Sequence, residues 1–481
     1  MTTISSTQST KDLEAAQKEK TAPLITKEDE QEGNESFSTD VSYDHDVSLL
    51  PMVYLCVVNM LLNCSYGICA PLLPIDAERH DIDQIYLGFM FCVYSVSMAI
   101  FSPIVGKYLY TLGRRNMCKW GMIIVAAPFL GFFLSTYLTN SVLYIAVFMT
   151  MRVIQGFGTS MVQTSSYSIL TLTYPTKINF VIACIETSAG LGLSLGPVIG
   201  TILYELGGSA LPFLTFFVIS ITIGLVIKRL IPCFVDDIQS NSVQTDEEKP
   251  KYSELLTTKR VVFACLCVFI AVFQFAFIDP ILAEYMKETF NIQPQTSGYF
   301  FLALGLGYMI SCIVSPFYLR YFSNMRVSMI SCFILGIITI FYSSSYILWF
   351  LTPNMVVLTV ALLLAGIANS HLMITPMEEM IEAAKGRTDS ASEVLNDMCS
   401  GLFNMFFALG EIFGPMIGNL VFSLWSFAGM CDVLGVGCVI FAVVYFLSCD
   451  LSLHKAPSYH HLSLTLNPKT APIPQSVQST Y

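Results

Sequence analysis

Apolar residues run in blocks separated by short polar stretches from Pro51 to Cys449. The blocks approach the ~20 residues that a helix needs to cross a bilayer and far exceed the ~10 of a barrel strand, so they predict membrane helices. Twelve spans are expected, starting near residues 51, 84, 117, 142, 178, 211, 261, 297, 327, 355, 394 and 427. Six fall on either side of a polar stretch holding Asp236-Asp237 and Asp246-Glu247-Glu248, which marks the expected boundary between two halves. The expected organisation is a polar tail over 1–48, a six-helix bundle over 49–232, a linker over 233–259, a second six-helix bundle over 260–450, and a second polar tail over 451–481.

The halves repeat one another. Gly410-Glu-Ile-Phe-Gly414-Pro415-Met-Ile-Gly418 follows the same plan as Gly192-Leu-Ser-Leu-Gly196-Pro197-Val-Ile-Gly200. Cys69-Ala-Pro71 at the end of the first span parallels Ile278-Asp279-Pro280 at the end of the seventh, and Ser102-Pro103 parallels Ser315-Pro316. A duplicated six-helix unit is the architecture of a secondary transporter with a central cavity, and neither a channel nor a receptor predicts it. On a helix, Gly192, Gly196 and Gly200 form one stripe that lets a second backbone approach closely. Glu186 points away from that stripe, and so towards a wet cavity, because a charge facing lipid is costly. In the second copy, Asp397, Asn404 and Glu411 stand seven residues apart on one face.

Composition agrees with this pattern. The chain is 54% hydrophobic and 12% charged, against about 25% charged in soluble proteins. Its net charge of −11 owes much to the N-terminal tail, a Ser/Thr/Glu/Lys mixture without apolar periodicity that reads as disordered and carries no cleavable signal peptide. Lys and Arg orient the chain: loops 2–3, 4–5, 6–7, 8–9 and 10–11 hold fifteen, and the opposite loops hold only Arg79 and Lys287. Both termini are therefore expected to be cytoplasmic. The fifteen cysteines lie mostly within apolar helices and read as free thiols, with no zinc-site spacing and no other cofactor motif.

Three stretches resemble signatures of the major facilitator superfamily. Gly106 to Arg115, with Gly113, Arg114 and Arg115 at its end, resembles the loop 2–3 motif, with Tyr110 where the family has an aspartate. Arg152-Val-Ile-Gln155-Gly156-Phe-Gly158 resembles the fourth-helix motif of proton-coupled members, and Gly190 to Gly200, with Gly192, Gly196, Pro197 and Gly200, resembles the antiporter motif of the fifth helix. Glu186, Asp279-Pro280, Pro376 with Glu378-Glu379, and Ser400 to Phe403 resemble the vesicular amine transporters, especially their polyamine-transporting branch. The first span offers only Asn59 and Asn63 where the monoamine branch has an aspartate. The resemblance covers about residues 50 to 450 and implies an all-α membrane protein with twelve transmembrane helices in two homologous bundles.

Among the charged residues, Arg152 heads a polar stripe with Gly156, Thr159 and Gln163, and its expected role is to couple proton release to conformation, the alternative being a structural arginine bonded to the carbonyls of a neighbouring helix. Glu186 is the first candidate for a carboxylate that binds a proton or a cation. Asp279, Glu379 and Glu411 are further candidates, with Asn404 sharing the face of Glu411. For each a plainer reading stands beside it: Asp279 as a helix-ending residue, Glu378 or Glu379 as solvated at the cytoplasmic mouth, and Asp397 as solvated at the same end. His371 reads either as a pH sensor or as a hydrogen-bond partner between helices. Tyr66, Tyr94, Tyr167 and Tyr308 could offer ring faces to an ammonium ligand.

This balance of acidic groups suits a small cationic substrate exchanged for protons. The expected function is a proton-coupled antiporter of organic cations, polyamines or related amines, working by alternating access. The alternatives are a drug:proton exporter at the plasma membrane and a transporter-like sensor without flux. No enzymatic constellation and no nucleic-acid-binding feature appears. Tyr252-Ser-Glu-Leu255 and Tyr459-His-His-Leu462 fit a Tyr-x-x-apolar sorting pattern, so a vesicle membrane and sorting adaptors on the C-terminal tail are expected.

Overall fold

The computed structural model describes residues 48–233, 235–236, 251–292, 294–343, 345–348, 350, 352–386 and 392–449. The expected tails, most of the linker and the Tyr459 motif lie outside the described residues. Among the described residues, fifteen helices follow in chain order. The first half holds α1 (Leu50–Gly67), α2 (Cys69–Arg79), α3 (Gln84–Leu112), α4 (Arg114–Ser135), α5 (Ser141–Thr173), α6 (Ile178–Gly207) and α7 (Ala210–Leu230). A short linker helix, α8 (Tyr252–Thr257), precedes α9 (Lys259–Ala276), α10 (Ile278–Phe290), α11 (Pro294–Leu319), α12 (Asn324–Ile340), α13 (Met355–Lys385), α14 (Ser392–Leu424) and α15 (Phe427–Ser448). Eleven helices among the described residues are long and apolar enough to cross a membrane, and α12, of 17 residues, is a shorter apolar helix at the place of the ninth expected span.

The first and seventh spans are each broken into two helices, at Ile68 and at Phe277. Pro71 and Pro280 explain the position, because each lacks the N–H that would close a helical bond onto the carbonyl four residues earlier. Repetition extends to the helix starts. Asn140 caps α5 by accepting from the Leu143 N–H at 3.1 Å, and Asn354 caps α13 by accepting from the Val356 N–H at 2.8 Å.

Glycines set the packing within each half. A Cβ at Gly192 would lie 2.0 Å from the Met60 carbonyl oxygen, and one at Gly196 would lie 2.6 Å from that of Cys64, so α6 rests backbone to backbone on α1. The duplicate does the same: Gly410 and Gly414 of α14 bear on α9 at Phe269 and Phe273. Gly192→Ala should therefore force α1 and α6 apart and cost about 1–3 kcal/mol or more. Gly190→Ala, whose Cβ would meet only Met309 at 3.7 Å, should be near neutral or stabilising through helix propensity. Thermal unfolding of the purified variants checks this, and equal midpoints would contradict it. Between halves, α3 packs against α14 and α6 against α11, with further contacts of α5 to α14 and α6 to α13.

Candidate functional site

Polar side chains are costly among apolar helices unless they find partners. Here they gather at two levels. Midway along the helices, a cavity of about 230 Å³ opens between the halves and is lined by Asn63, Tyr66, Tyr94, Gln163, Glu186, Tyr308, Asn369 and Glu411. Glu186, on α6, is buried, and its carboxylate accepts from Tyr167 at 2.5 Å and from Tyr308 at 2.7 Å. One tyrosine comes from each half. Glu411, on α14, accepts from Ser95 of α3 at 2.9 Å. The cavity thus presents one carboxylate from either half, each held by a hydroxyl of the opposite half. Tyr167 and Tyr308 act here through their hydroxyls, where the sequence suggested their ring faces.

Arg152 lies behind the cavity wall. It is fully buried, and its guanidinium stands 5.6–6.0 Å from the ring centres of Tyr66, Phe91, Tyr94, Phe132 and Phe148. It donates to Gln155 at 3.0 Å, while Nε and Nη2 find no partner among the described residues. Ring faces carry part of the stabilisation that a carboxylate would otherwise give. Tyr66 and Tyr94, with centroids 4.9 Å apart, line the cavity and also face Arg152.

The second level is the end at which the linker lies, called the inner end below. Arg114 and Asp397, both buried, form a two-pronged ion pair across the halves, with Nε to Oδ1 at 2.8 Å and Nη2 to Oδ2 at 2.9 Å. Ser168 also donates to Asp397, and Arg114 donates to the Val235 carbonyl at 2.9 Å. The sequence pointed to a solvated Asp397. The structure corrects this, because the start of α14 is covered by α3 and α5 and the arginine compensates the charge. Asp397 supplies a carboxylate to the loop 2–3 arginine in a chain that has Tyr110 at the family's aspartate position, and Tyr110 lends a ring 5.9 Å from the guanidinium. Gly113 takes φ +84° at the start of α4, a backbone that favours glycine. Arg115 receives Asp236 on its backbone N–H at 3.2 Å.

Other candidates separate from the cavity. Glu379 is buried in an ion pair with Arg260 at 2.7 Å. Glu378 accepts from Asn324 at 2.9 Å, and Asn324 accepts from Asn179 of the other half at 2.8 Å. Asn404, buried, donates to Ser400 O at 3.0 Å and to Thr164 across the interface at 3.4 Å. His371 pairs through Nε2 with the Tyr318 hydroxyl and donates from Nδ1 to the Ile367 carbonyl at 2.7 Å, so both ring nitrogens are engaged in hydrogen bonds. Asp279 begins α10 just after the break, and its side chain lies outside the described residues. Gln163 and Asn369 were missed as lining residues and Ser95 as the partner of Glu411, and only their polarity within apolar spans signalled them.

Residues 55–400 match the Major Facilitator Superfamily. The chain belongs to this family. Among major facilitator proteins it is 27% identical over 387 residues to the MFS-type transporter SLC18B1 of Mus musculus, covering 77% of this chain and 80% of the relative. It is 21% identical over 385 residues to the human synaptic vesicular amine transporter, covering 78% and 70%. The bacterial homologue of the iron transporter ferroportin, solved in an outward-facing state, superposes with a TM-score of 0.65 at 14% identity over 83% of this chain and 98% of that one. The chain is a multi-pass membrane protein with the fold of the major facilitator transporters.

Proposed function

We propose that this protein is a proton-coupled antiporter of organic cations, polyamines or related amines, in which the two halves rock about the central cavity. The observation that carries the reading is the pair Glu186 and Glu411, one carboxylate from each half facing one cavity. A ligand with ammonium groups at both ends would be gripped by both halves at once, and protonation of the carboxylates would release it. Arg152, buried behind the tyrosine pair, supplies the fixed charge that favours loss of the proton when the cavity reshapes. The likeness to a vesicular amine transporter supports an amine substrate and a vesicle membrane, and the Lys/Arg distribution supports cytoplasmic termini.

Proteoliposomes test the reading. With an acid interior, a labelled aliphatic triamine should accumulate above its external concentration, and dissipating the pH gradient should abolish accumulation. Specific binding without gradient-driven uptake would overturn the antiport reading in favour of a sensor. Equal competition by bulky hydrophobic cations would favour a broad drug exporter.

A further inference from the structure

The linker places one side chain in the seam between the halves. Tyr252, the first residue of α8, donates its hydroxyl to the Pro103 carbonyl of α3 at 2.6 Å. Beside that point α3 and α14 meet glycine to glycine. A Cβ at Gly106 would lie 3.0 Å from the Gly401 Cα, and one at Gly401 would lie 2.8 Å from the Ser102 carbonyl oxygen. The same tyrosine hydroxyl would stand 2.7 Å from the first of these added carbons and 3.0 Å from the second. The phenol therefore plugs the junction that the two glycines leave open. Burial, with Cys399 and Asp397 nearby, pushes its pKa up from the ordinary value, so it stays a proton donor. The Tyr-x-x-Leu pattern is accordingly not displayed: its tyrosine is engaged, and Leu255 is buried.

We infer that Tyr252 is a lock carried by the linker, holding the inner seam shut until its hydroxyl leaves the Pro103 carbonyl. α8 packs against α9 of the second half, while the hydroxyl bonds α3 of the first. Movement of α3 away from α8 and α9 at this end breaks the bond. A cytoplasmic ligand that draws the linker away from the seam would thereby favour opening, so the linker becomes a point of control over the cavity's inner access. The inference rests on the alternating-access reading of the preceding subsection.

Hydrogen–deuterium exchange on the full-length protein in lipid nanodiscs tests the lock without any substrate, so its failure would leave the transport reading standing. In Tyr252→Phe, which keeps the ring and removes the hydroxyl, seam amides over 104–108 and 397–402 should exchange about two- to tenfold faster, the worth of one hydrogen bond. Amides around Gly192, in the α1–α6 contact, should not change. Tyr252→Ala should extend the same local effect. Seam exchange equal to the parent's in both variants would overturn the lock. So would a uniform increase throughout the chain, which would make Tyr252 a support of the whole fold.

Discussion

Replacing Asp397 with alanine should cost about 3–5 kcal/mol, because it strands the Arg114 guanidinium in a site that water does not reach. The side chains are only 1% and 0% exposed, and the remaining acceptors on the arginine are the Ser168 hydroxyl at 3.2 Å and the backbone carbonyls of Val235 and, at 3.5 Å, Glu393. Arg114→Ala should cost a similar amount by stranding the carboxylate, which keeps the hydroxyl of Ser168 as a donor. The double variant removes both charges and should recover a large part of the loss, so the two effects should fall well short of additive. A double-mutant cycle in thermal unfolding of the purified protein checks this. If the double variant cost the sum of the singles, the pair would carry no coupling. Because the bond spans the halves, the single variants should also open the inner end, and a maleimide placed on that side should label seam cysteines such as Cys399, which is buried in the parent, much faster.

Glu186→Gln should lower amine binding by about tenfold or more and flatten its pH dependence between about pH 5 and 8, since a charge-assisted bond is lost along with the titrating group. A glutamine also offers a single acceptor oxygen where two tyrosines now donate to a carboxylate, so either Tyr167 or Tyr308 must turn its proton away and accept from the amide N–H instead. Packing should survive, because the glycine face of α6 is turned to α1 while Glu186 faces the cavity. Tyr308→Phe, which removes one donor and leaves the charge, should have a smaller effect and keep the pH profile. Binding of a labelled triamine to the parent and both variants across that range decides it. An unchanged profile in Glu186→Gln would identify the residue as structural and shift attention to Glu411.

The spans were legible because membrane helices must satisfy their backbone internally, which leaves length and apolarity as the main variables. Expected starts at 178, 355 and 427 coincide with those of α6, α13 and α15. The seven-residue ladder of Asp397, Asn404 and Glu411 was legible for the same reason, since helical geometry alone puts all three on one face. That face turns to the first half at all three levels, meeting Arg114, Thr164 and Ser95. What each rung meets was not legible, because partners come from distant spans. Asp397 reads as solvated near a helix end until α3 and α5 are seen to cover it. The role of Gly106 was hidden similarly, as its reason is Gly401, nearly three hundred residues away. The helix breaks at Ile68 and Phe277 were not anticipated: the sequence put Cys69-Ala-Pro71 and Ile278-Asp279-Pro280 at the ends of their spans, and in the structure each opens a second helix instead.

Those two breaks bear on the repeat. They fall at matching places in both copies, each three residues ahead of its proline. The matching position makes the broken helix a property of the repeated six-helix unit itself. The carboxylates are not repeated: Glu186 has Asn404 at its counterpart position, and Glu411 has Leu193. The break is common to the two copies, and the acidic positions are particular to each. Substitutions at the breaks should therefore be interchangeable between copies, whereas exchanging the acidic positions should rewrite which ligands the protein accepts.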